Sequence, residues 1–328
     1  MELMPHTFSM RRGLAHRAGL FVALAWAACS VLGAESAPAP GSTGAGSRLA
    51  APGVPPPAVS LTEWVQRAMD AQNRGLFPQA IEYLNEAIAL SPKDARLLFH
   101  RAQLKVRLRD FAKADADLTR ALDLEPSQPA LSLERGLVRL RLADFKGSVS
   151  DLERYAQLRP ERAAGLWQLG IAQFYAGRLS DGRRLFELHR TVNATDVENS
   201  AWHFACIAHQ EGAAAARAAW LPVSGDARVP MAQIQDLMTG KGTADAVLAA
   251  AEGVSRGDAR EAALLYAHLY LSLFHGAEGR SDLEARHAAE ASKRSLEQGM
   301  MGEVARLHAD WVAQRLRGAA GTPRPVRP

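Results

Sequence analysis

The sequence predicts an all-α protein in which antiparallel helical hairpins stack into a solenoid, and three observations support this. Four sets of similar residues recur every 34 positions through the middle of the chain. Prolines recur at the same interval, where they would end helices. Aromatic residues, which favour strands, make up only 6% of the 328 residues. A fixed period of this length is typical of repeat proteins, whose units bury their apolar faces only against neighbours.

Three of the recurring columns predict how each hairpin is built. The first column consists of small residues, which let two helices approach closely: Ala80, Ala114, Ser148 and Gly182. The second consists of bulky residues that open the second helix: Phe77, Phe111, Phe145 and Leu179. The third consists of prolines, which end that helix: Pro92, Pro126 and Pro160.

The strings AIEYLNEAIALSPKD (80–94) and ADADLTRALDLEPSQ (114–128) resemble the tetratricopeptide repeat family. The resemblance implies a right-handed solenoid of antiparallel helical hairpins. It covers four units, at 61–94, 95–128, 129–162 and 163–196. The period fails beyond them, and 197–317 is predicted to be a degenerate helical-repeat region.

The C-terminal region is predicted to contain a long hairpin with its turn near Gly279 and a capping helix with an apolar stripe. The stripe consists of Val304, Leu307, Trp311 and Leu316. Residues 318–328 are predicted to be a disordered tail. The segment 202–312 resembles the bacterial NlpI-type tetratricopeptide lipoproteins. That resemblance implies an adaptor in the cell envelope, and the best-understood kind bridges an envelope protease to murein hydrolases.

The N-terminus is predicted to be a secretion signal at 1–34, in which Met10 is an alternative start. Arg11, Arg12 and Arg17 precede the apolar run 20–28, in the layout of a bacterial signal. Two processing sites stay open: cleavage before Cys29 with lipidation of that cysteine, or cleavage near Ala34. Residues 35–60 are rich in Pro, Ala, Gly and Ser, and are predicted to be a disordered linker.

The charges are interpreted as solvated. A net charge of +4 over this length does not indicate nucleic-acid binding, which requires a clustered basic stripe. A cationic helix face is interpreted as a solvated outer face; it consists of Arg101, Lys105, Arg107, Arg109 and Lys113. Asp115 and Asp117 are likewise interpreted as solvated charges.

No catalytic, cofactor-binding or metal-binding motif is found. Cys206 is expected to be a buried small apolar residue. Four histidines are expected to be surface residues or hydrogen-bonded core residues, although they could converge: His268, His275, His287 and His308. An enzyme with an active site in 197–316 remains the least favoured alternative.

The predicted function is a non-catalytic scaffold or adaptor of the cell envelope, and the alternative is a structural component of an envelope or secretion complex. The expected partners are proteins, bound in the concave groove that the first helix of each hairpin lines. Contact with a membrane is expected only through a lipid on Cys29, and a homodimer is an option. The predicted binding residues are Met69, Phe99, Gln103, Leu133, Leu137, Trp167, Ile171 and Phe174.

Overall fold

The computed structural model describes residues 59–294 and 299–320, which form helices joined by short turns, with no strand among them. The predicted signal, Cys29 and the linker up to residue 58 lie outside the described residues. So does the predicted tail from residue 321 onward.

The first part of the described chain consists of four consecutive helical hairpins, as the 34-residue period predicts. The helices are α1 (Leu61–Asn73), α2 (Phe77–Leu90), α3 (Ala95–Arg107), α4 (Phe111–Leu124), α5 (Pro129–Arg141), α6 (Phe145–Leu158), α7 (Trp167–Tyr175) and α8 (Leu179–His189). A short 3-10 helix at Pro160–Gly165 precedes α7. Each second helix begins at the predicted bulky residue, and three of them end two residues before a proline.

The two helices of a hairpin pack without room for an added methyl group. A Cβ placed on Gly136 would lie 2.7 Å from Cγ of Leu152, and one on Gly170 would lie 2.6 Å from Cζ of Phe186. Both distances are below van der Waals contact. This close approach of the two helices is the one that the column of small residues, which includes Ser148 and Gly182, predicts. It makes stacking of the hairpins possible.

The turn after each first helix contains a residue with left-handed backbone. Its φ is +75° at Gly75, +61° at Arg109, +58° at Ala143 and +77° at Gly177. Only glycine adopts this conformation without a steric cost, so two of the four turns are strained. The repeat thus keeps the turn geometry even where the preferred residue is absent.

The interpretation of the cationic helix face as solvated is wrong for two of its members. Arg101 and Lys105 donate to the carboxylate of Asp117 at 2.6 and 2.7 Å, and their side chains are only 14% and 12% exposed. Asp117 is itself 3% exposed, so it is not a solvated charge. Burial would penalise this carboxylate, but the two cations keep its pKa below the usual value.

The third hairpin repeats this buried ion pair. Arg135 and Arg139 bind Asp151 at 2.7 and 2.9 Å, and Asp151 is 3% exposed. In the fourth hairpin the equivalent positions carry Leu169 and Leu185, both buried. The second and third hairpins therefore contain a buried ion pair at positions where the fourth hairpin contains apolar side chains.

The C-terminal region contains seven more helices. They are α9 (Val197–Glu211), α10 (Ala213–Ala218), α11 (Met231–Met238), α12 (Ala244–Glu252), α13 (Asp258–Ala277), α14 (Ser281–Lys293) and α15 (Met300–Ala320). Helices α13 and α14 form the long hairpin around Gly279. Helix α15 packs on α14 and also contacts α5, in the third hairpin. It runs to residue 320, so the first residues of the predicted disordered tail are helical.

The loop between α10 and α11 is fixed to the start of α9. Arg228 binds Asp196 at 2.8 Å and Asp226 at 2.7 Å, and it also contacts Glu198. Tyr270 of α13 donates to Glu198 at 2.7 Å, and burial raises the pKa of Glu198 to about 7. A polar cavity of about 280 Å³ lies beside the loop. Because Arg228 binds all three acids, we interpret this cluster as a structural clamp.

Candidate functional site

The candidate site is the face formed by the first helices α1, α3, α5 and α7, which the tetratricopeptide resemblance implies is the concave side of the solenoid. We call it the inner face. The predicted binding residues lie on these helices at equivalent positions of successive hairpins. The structure divides this face into two segments that differ in their exposure to solvent.

We call the first part the open segment, defined by Met69, Phe99, Gln103 and Leu133. Met69 is 46% exposed, and the other three side chains are half-buried. Phe99 packs at the edge of the core formed by the first hairpins, so one side of its ring supports the fold. The open segment thus offers apolar surface on a rigid helical frame.

We call the second part the covered segment, defined by Leu137, Trp167, Ile171 and Phe174. Ile171 is 0% exposed and Phe174 is 2% exposed, so a partner has no access to either in this structure. Leu137 and Trp167 are half-buried and pack against the C-terminal core, as does Leu133 at the boundary of the open segment. The groove that the sequence predicts as continuous is therefore closed at its downstream end.

Aromatic side chains from the C-terminal region close it. The ring of Phe174 lies 5.7 Å from that of Trp311 on α15, 5.4 Å from Trp202 and 5.1 Å from His209. Tyr175, the next residue along α7, lies 5.5 Å from Trp311. Edge-to-face contacts of this kind add to the stabilisation from apolar burial.

An ion pair holds the start of α15 against the third hairpin. Glu303 accepts from Nε of Arg141 at 2.5 Å, and Arg109 lies 3.5 Å from the same carboxylate. The side chains of Arg141 and Glu303 are 15% and 13% exposed, which strengthens their attraction over that of a surface pair. We call α15, with Glu303, His308 and Trp311, the C-terminal clasp.

A chain of hydrogen bonds runs through the clasp. The hydroxyl of Tyr175 lies 3.1 Å from Nδ1 of His308, and Nε2 of His308 lies 3.0 Å from Oγ of Ser272. Ser272 in turn donates to the main-chain oxygen of Glu284 at 2.8 Å. His308 is 1% exposed, and burial lowers its pKa to about 3. The imidazole is therefore neutral at physiological pH.

Two titratable residues are neighbours of the open segment in the sequence. Glu134 follows Leu133, and His100 follows Phe99. Burial raises the pKa of Glu134, although the nearby Arg141 opposes the rise. Burial lowers the pKa of His100. Both shifts favour the neutral forms of these two groups.

Three of the four histidines do converge, but inside the protein. Nδ1 of His268 lies 2.9 Å from Nδ1 of His287, and the rings of His275 and His287 stack at 5.3 Å. All three are at most 9% exposed, and burial lowers the pKa of His268 and of His275 to about 4. Within 59–294 and 299–320, no group of three or more His, Cys, Asp or Glu has the geometry to hold a metal ion.

Sequence reasoning missed the residues that close the face. Arg141 and Tyr175 occupy equivalent positions of successive first helices, which the period could have revealed. Trp311 belongs to the predicted apolar stripe of α15, but the stripe does not say what it packs against. Among the described helices, none combines the length and the apolar character that crossing a bilayer requires.

Comparison with known proteins agrees with the fold. Residues 95–128 match the tetratricopeptide repeat family. A tetratricopeptide repeat protein from Parabacteroides merdae is 15% identical, with a TM-score of 0.52 over 77% of this chain and 98% of that one. PilF of Pseudomonas aeruginosa is 14% identical, with a TM-score of 0.41 over 79% and 97%. MamA of RS-1, a double mutant, is 17% identical, with a TM-score of 0.44 over 47% and 88%. No curated protein matches the chain.

The family match and the helical hairpins lead to one conclusion about architecture. The repeated columns, the tight hairpins and the likeness to the Parabacteroides protein all belong to the same fold. Residues 95–128 are a tetratricopeptide repeat within a solenoid of such hairpins, and this fold is a scaffold for protein–protein interaction.

Proposed function

We propose that this chain is a non-catalytic adaptor that binds a partner protein on the open segment of its inner face. One observation carries the proposal. Helix α15 packs its Trp311 against Phe174 and Tyr175 at the downstream end of the face, whereas Met69, the upstream equivalent of the buried Ile171, is 46% exposed. A surface that binds α15 in one half has the shape and polarity to bind a helix or an extended peptide in the other.

The open segment also indicates what the partner must supply. Met69, Phe99 and Leu133 require an apolar anchor, because the burial of such side chains supplies most of the binding energy at an interface. Glu134 follows Leu133 in α5, and burial raises its pKa. A partner that covers it needs a hydrogen-bond donor there, since a buried acceptor without a partner is costly.

We further propose that the protein acts in the bacterial cell envelope. The support is the signal-like N-terminus, with Cys29 as a lipid attachment site, and the resemblance to NlpI-type lipoproteins. The first partner classes to test are therefore envelope proteases and murein hydrolases, together with a second copy of this chain. Replacing Cys29 with serine and following membrane fractionation and lipid labelling tests the anchor separately from partner binding.

Site-specific photo-crosslinking in cells tests the binding surface. A photoreactive residue at Met69 or Gln103 is expected to capture the same partner at high yield. Leu90 and Leu124 provide matched control positions, since they are 57% and 38% exposed but lie at the ends of second helices. Equal capture from the control positions would show that the open segment is not the binding surface.

A binding measurement with the captured partner then tests the anchor. Met69→Asp places a charge in the proposed interface, and we expect affinity to fall at least about tenfold. Leu90→Asp makes the same kind of change at a comparably exposed position and should leave affinity unchanged. An unaltered affinity in Met69→Asp would contradict the proposal.

A further inference from the structure

The C-terminal clasp connects two distant parts of the solenoid. Helix α15 pairs with α14 in the C-terminal hairpin, yet its Glu303 and Trp311 reach residues of α5 and α7. It is also the last described helix of the chain. A movement of α15 away from α7 would therefore uncover the sides of Phe174 and Tyr175 that face Trp311, and no other described element would have to move.

The hydrogen bonds of His308 require one protonation state. Ser272 gives its hydroxyl hydrogen to the main-chain oxygen of Glu284, so its oxygen accepts from Nε2–H of His308. Nδ1 must then carry the lone pair that accepts from the hydroxyl of Tyr175. Four helices, α7, α13, α14 and α15, are joined through a neutral imidazole.

A second proton on His308 would reverse the hydrogen bond at Nδ1. The N–H formed there would donate to the hydroxyl oxygen of Tyr175, and the hydroxyl hydrogen would be left without an acceptor among the described residues. The imidazolium would also be a charge at a site that is 1% exposed. Burying an unpaired charge is costly, so the protonated form favours an open arrangement in which water reaches the ring.

The groups around His308 offer no compensation. On α7 it faces Tyr175, on α13 Ser272, and on α9 His209, whose positive form would repel it. On α15 itself, Arg315 is a further positive charge nearby. The carboxylate of Glu284, on α14, is bound to that arginine.

We infer that the C-terminal clasp is a pH-sensitive closure of the inner face, in which protonation of His308 releases α15 from α7 and exposes the sides of Phe174 and Tyr175 that pack against Trp311. The inference rests on the proposed function only for what the uncovered surface would bind. The opening of the clasp is a property of this chain alone, so it can be measured without a partner. The prediction of opening can therefore fail even if the proposed binding function is correct.

The protection of a buried cysteine measures the opening. Val312, on α15, is 1% exposed, and Gln314 of the same helix is exposed. Val312→Cys and Gln314→Cys are made separately in full-length protein carrying Cys29→Ser, and their modification by a disulfide reagent is timed. The ratio of the exposed to the buried rate gives the protection and cancels the pH dependence of the thiol.

From pH 7.5 to pH 5 we expect this protection to fall on the order of 30-fold, because an exposed histidine with an ordinary pKa of about 6.5 takes up the proton. Cys206, which is 0% exposed in the core, should stay protected, so that local opening is distinguished from unfolding. His308→Gln keeps an acceptor and a donor but cannot be protonated. In the His308→Gln protein, the protection of the cysteine at position 312 should fall less than about threefold over the same pH range.

His100→Gln is the matched control, since it removes a histidine of α3 outside the clasp and should keep the full fall. Two results would overturn the inference: a wild-type protection that stays constant to pH 5, or an equal fall in His308→Gln. Should His308→Gln fail to fold, as judged by circular dichroism at pH 7.5, His308→Asn takes its place, and a wild-type protection that stays constant to pH 5 still overturns the inference.

Discussion

At the scale of single residues, the turn after each first helix makes a direct test of backbone strain. Ala143 has φ +58°, where equivalent turns have Gly75 and Gly177. An alanine in the left-handed region costs about 1–2 kcal/mol, and part of this returns when glycine loosens the unfolded chain. We therefore expect Ala143→Gly to raise the free energy of unfolding by about 0.5–1 kcal/mol in urea titrations.

Gly177→Ala is the reverse experiment and should destabilise by a similar amount. An added Cβ there meets no atom within 4 Å, so the effect would come from the backbone alone. If both variants lowered stability, the turn geometry could not be the cause.

The buried carboxylates provide a second residue-scale prediction. Removing Asp151 leaves Arg135 buried without its partner, so Asp151→Ala should cost about 3–5 kcal/mol. Replacing both by leucine copies the Leu169 and Leu185 pair of the next hairpin. The double variant should lie within about 1 kcal/mol of the wild type, because hydrocarbon of similar volume often substitutes for a buried ion pair.

Thermal and urea unfolding of both variants check this. Arg139 retains Asp115 at 3.0 Å in either case, which limits the side effects. A double variant as unstable as Asp151→Ala would show that the charges themselves are required.

At the scale of helices, the clasp depends on an ion pair that can be inverted. Glu303→Arg places a third positive group beside Arg141 and Arg109, and we expect a loss of about 2–3 kcal/mol. The swap Glu303→Arg with Arg141→Glu should recover part of it in a double-mutant cycle. Asp310→Lys, at an exposed position of α15, is the control and should change stability by less than about 0.5 kcal/mol.

The helices themselves could be predicted because the information is local. Each second helix begins at a bulky residue of the period, and the turn at Gly279 follows from glycine in a polar break. The buried ion pairs were misjudged because arginine and aspartate are usually exposed. Their spacing of 16 residues, the same at Arg101–Asp117 and Arg135–Asp151, was a signal in the sequence.

The closure of the inner face could not be predicted in this way. The apolar stripe of α15 shows that Trp311 is buried, but its contact with Phe174 depends on the rotation that accumulates over successive hairpins. That rotation is the sum of small packing angles between neighbouring hairpins, and no single segment of the sequence determines it. The sequence therefore predicts the helices on which these residues lie, but it does not predict that Ile171 and Phe174 are inaccessible.

At the scale of the whole molecule, the described core divides into two clusters, and the buried histidines belong with the C-terminal one. His268 and His275 have pKa values of about 4, below the ordinary 6.5. The unfolded state therefore binds more protons, and their contribution to stability is present above pH 6.5 and lost as the pH falls toward 4. For each of them, the free energy of unfolding at neutral pH exceeds that below pH 4 by on the order of 3 kcal/mol, because burial penalises the protonated ring.

His275→Leu isolates this effect. His275 is 3% exposed and its Nδ1 has no hydrogen-bond partner, so the leucine variant should unfold near the wild-type urea concentration at pH 7. At pH 5 it should be more stable than the wild type. Glu198, with its pKa raised to about 7, acts in the opposite direction but is common to both proteins. A stability difference that does not change with pH would contradict this account.

The contact of α15 with the third hairpin also constrains how the gene can change. Repeat proteins commonly gain or lose units by duplication and deletion, because each unit touches only its neighbours. In this chain Glu303 forms an ion pair with Arg141, so one extra hairpin between the two residues would move them out of contact. The contact between Glu303 and Arg141 therefore constrains the number of hairpins, as closure constrains the number of strands in a barrel.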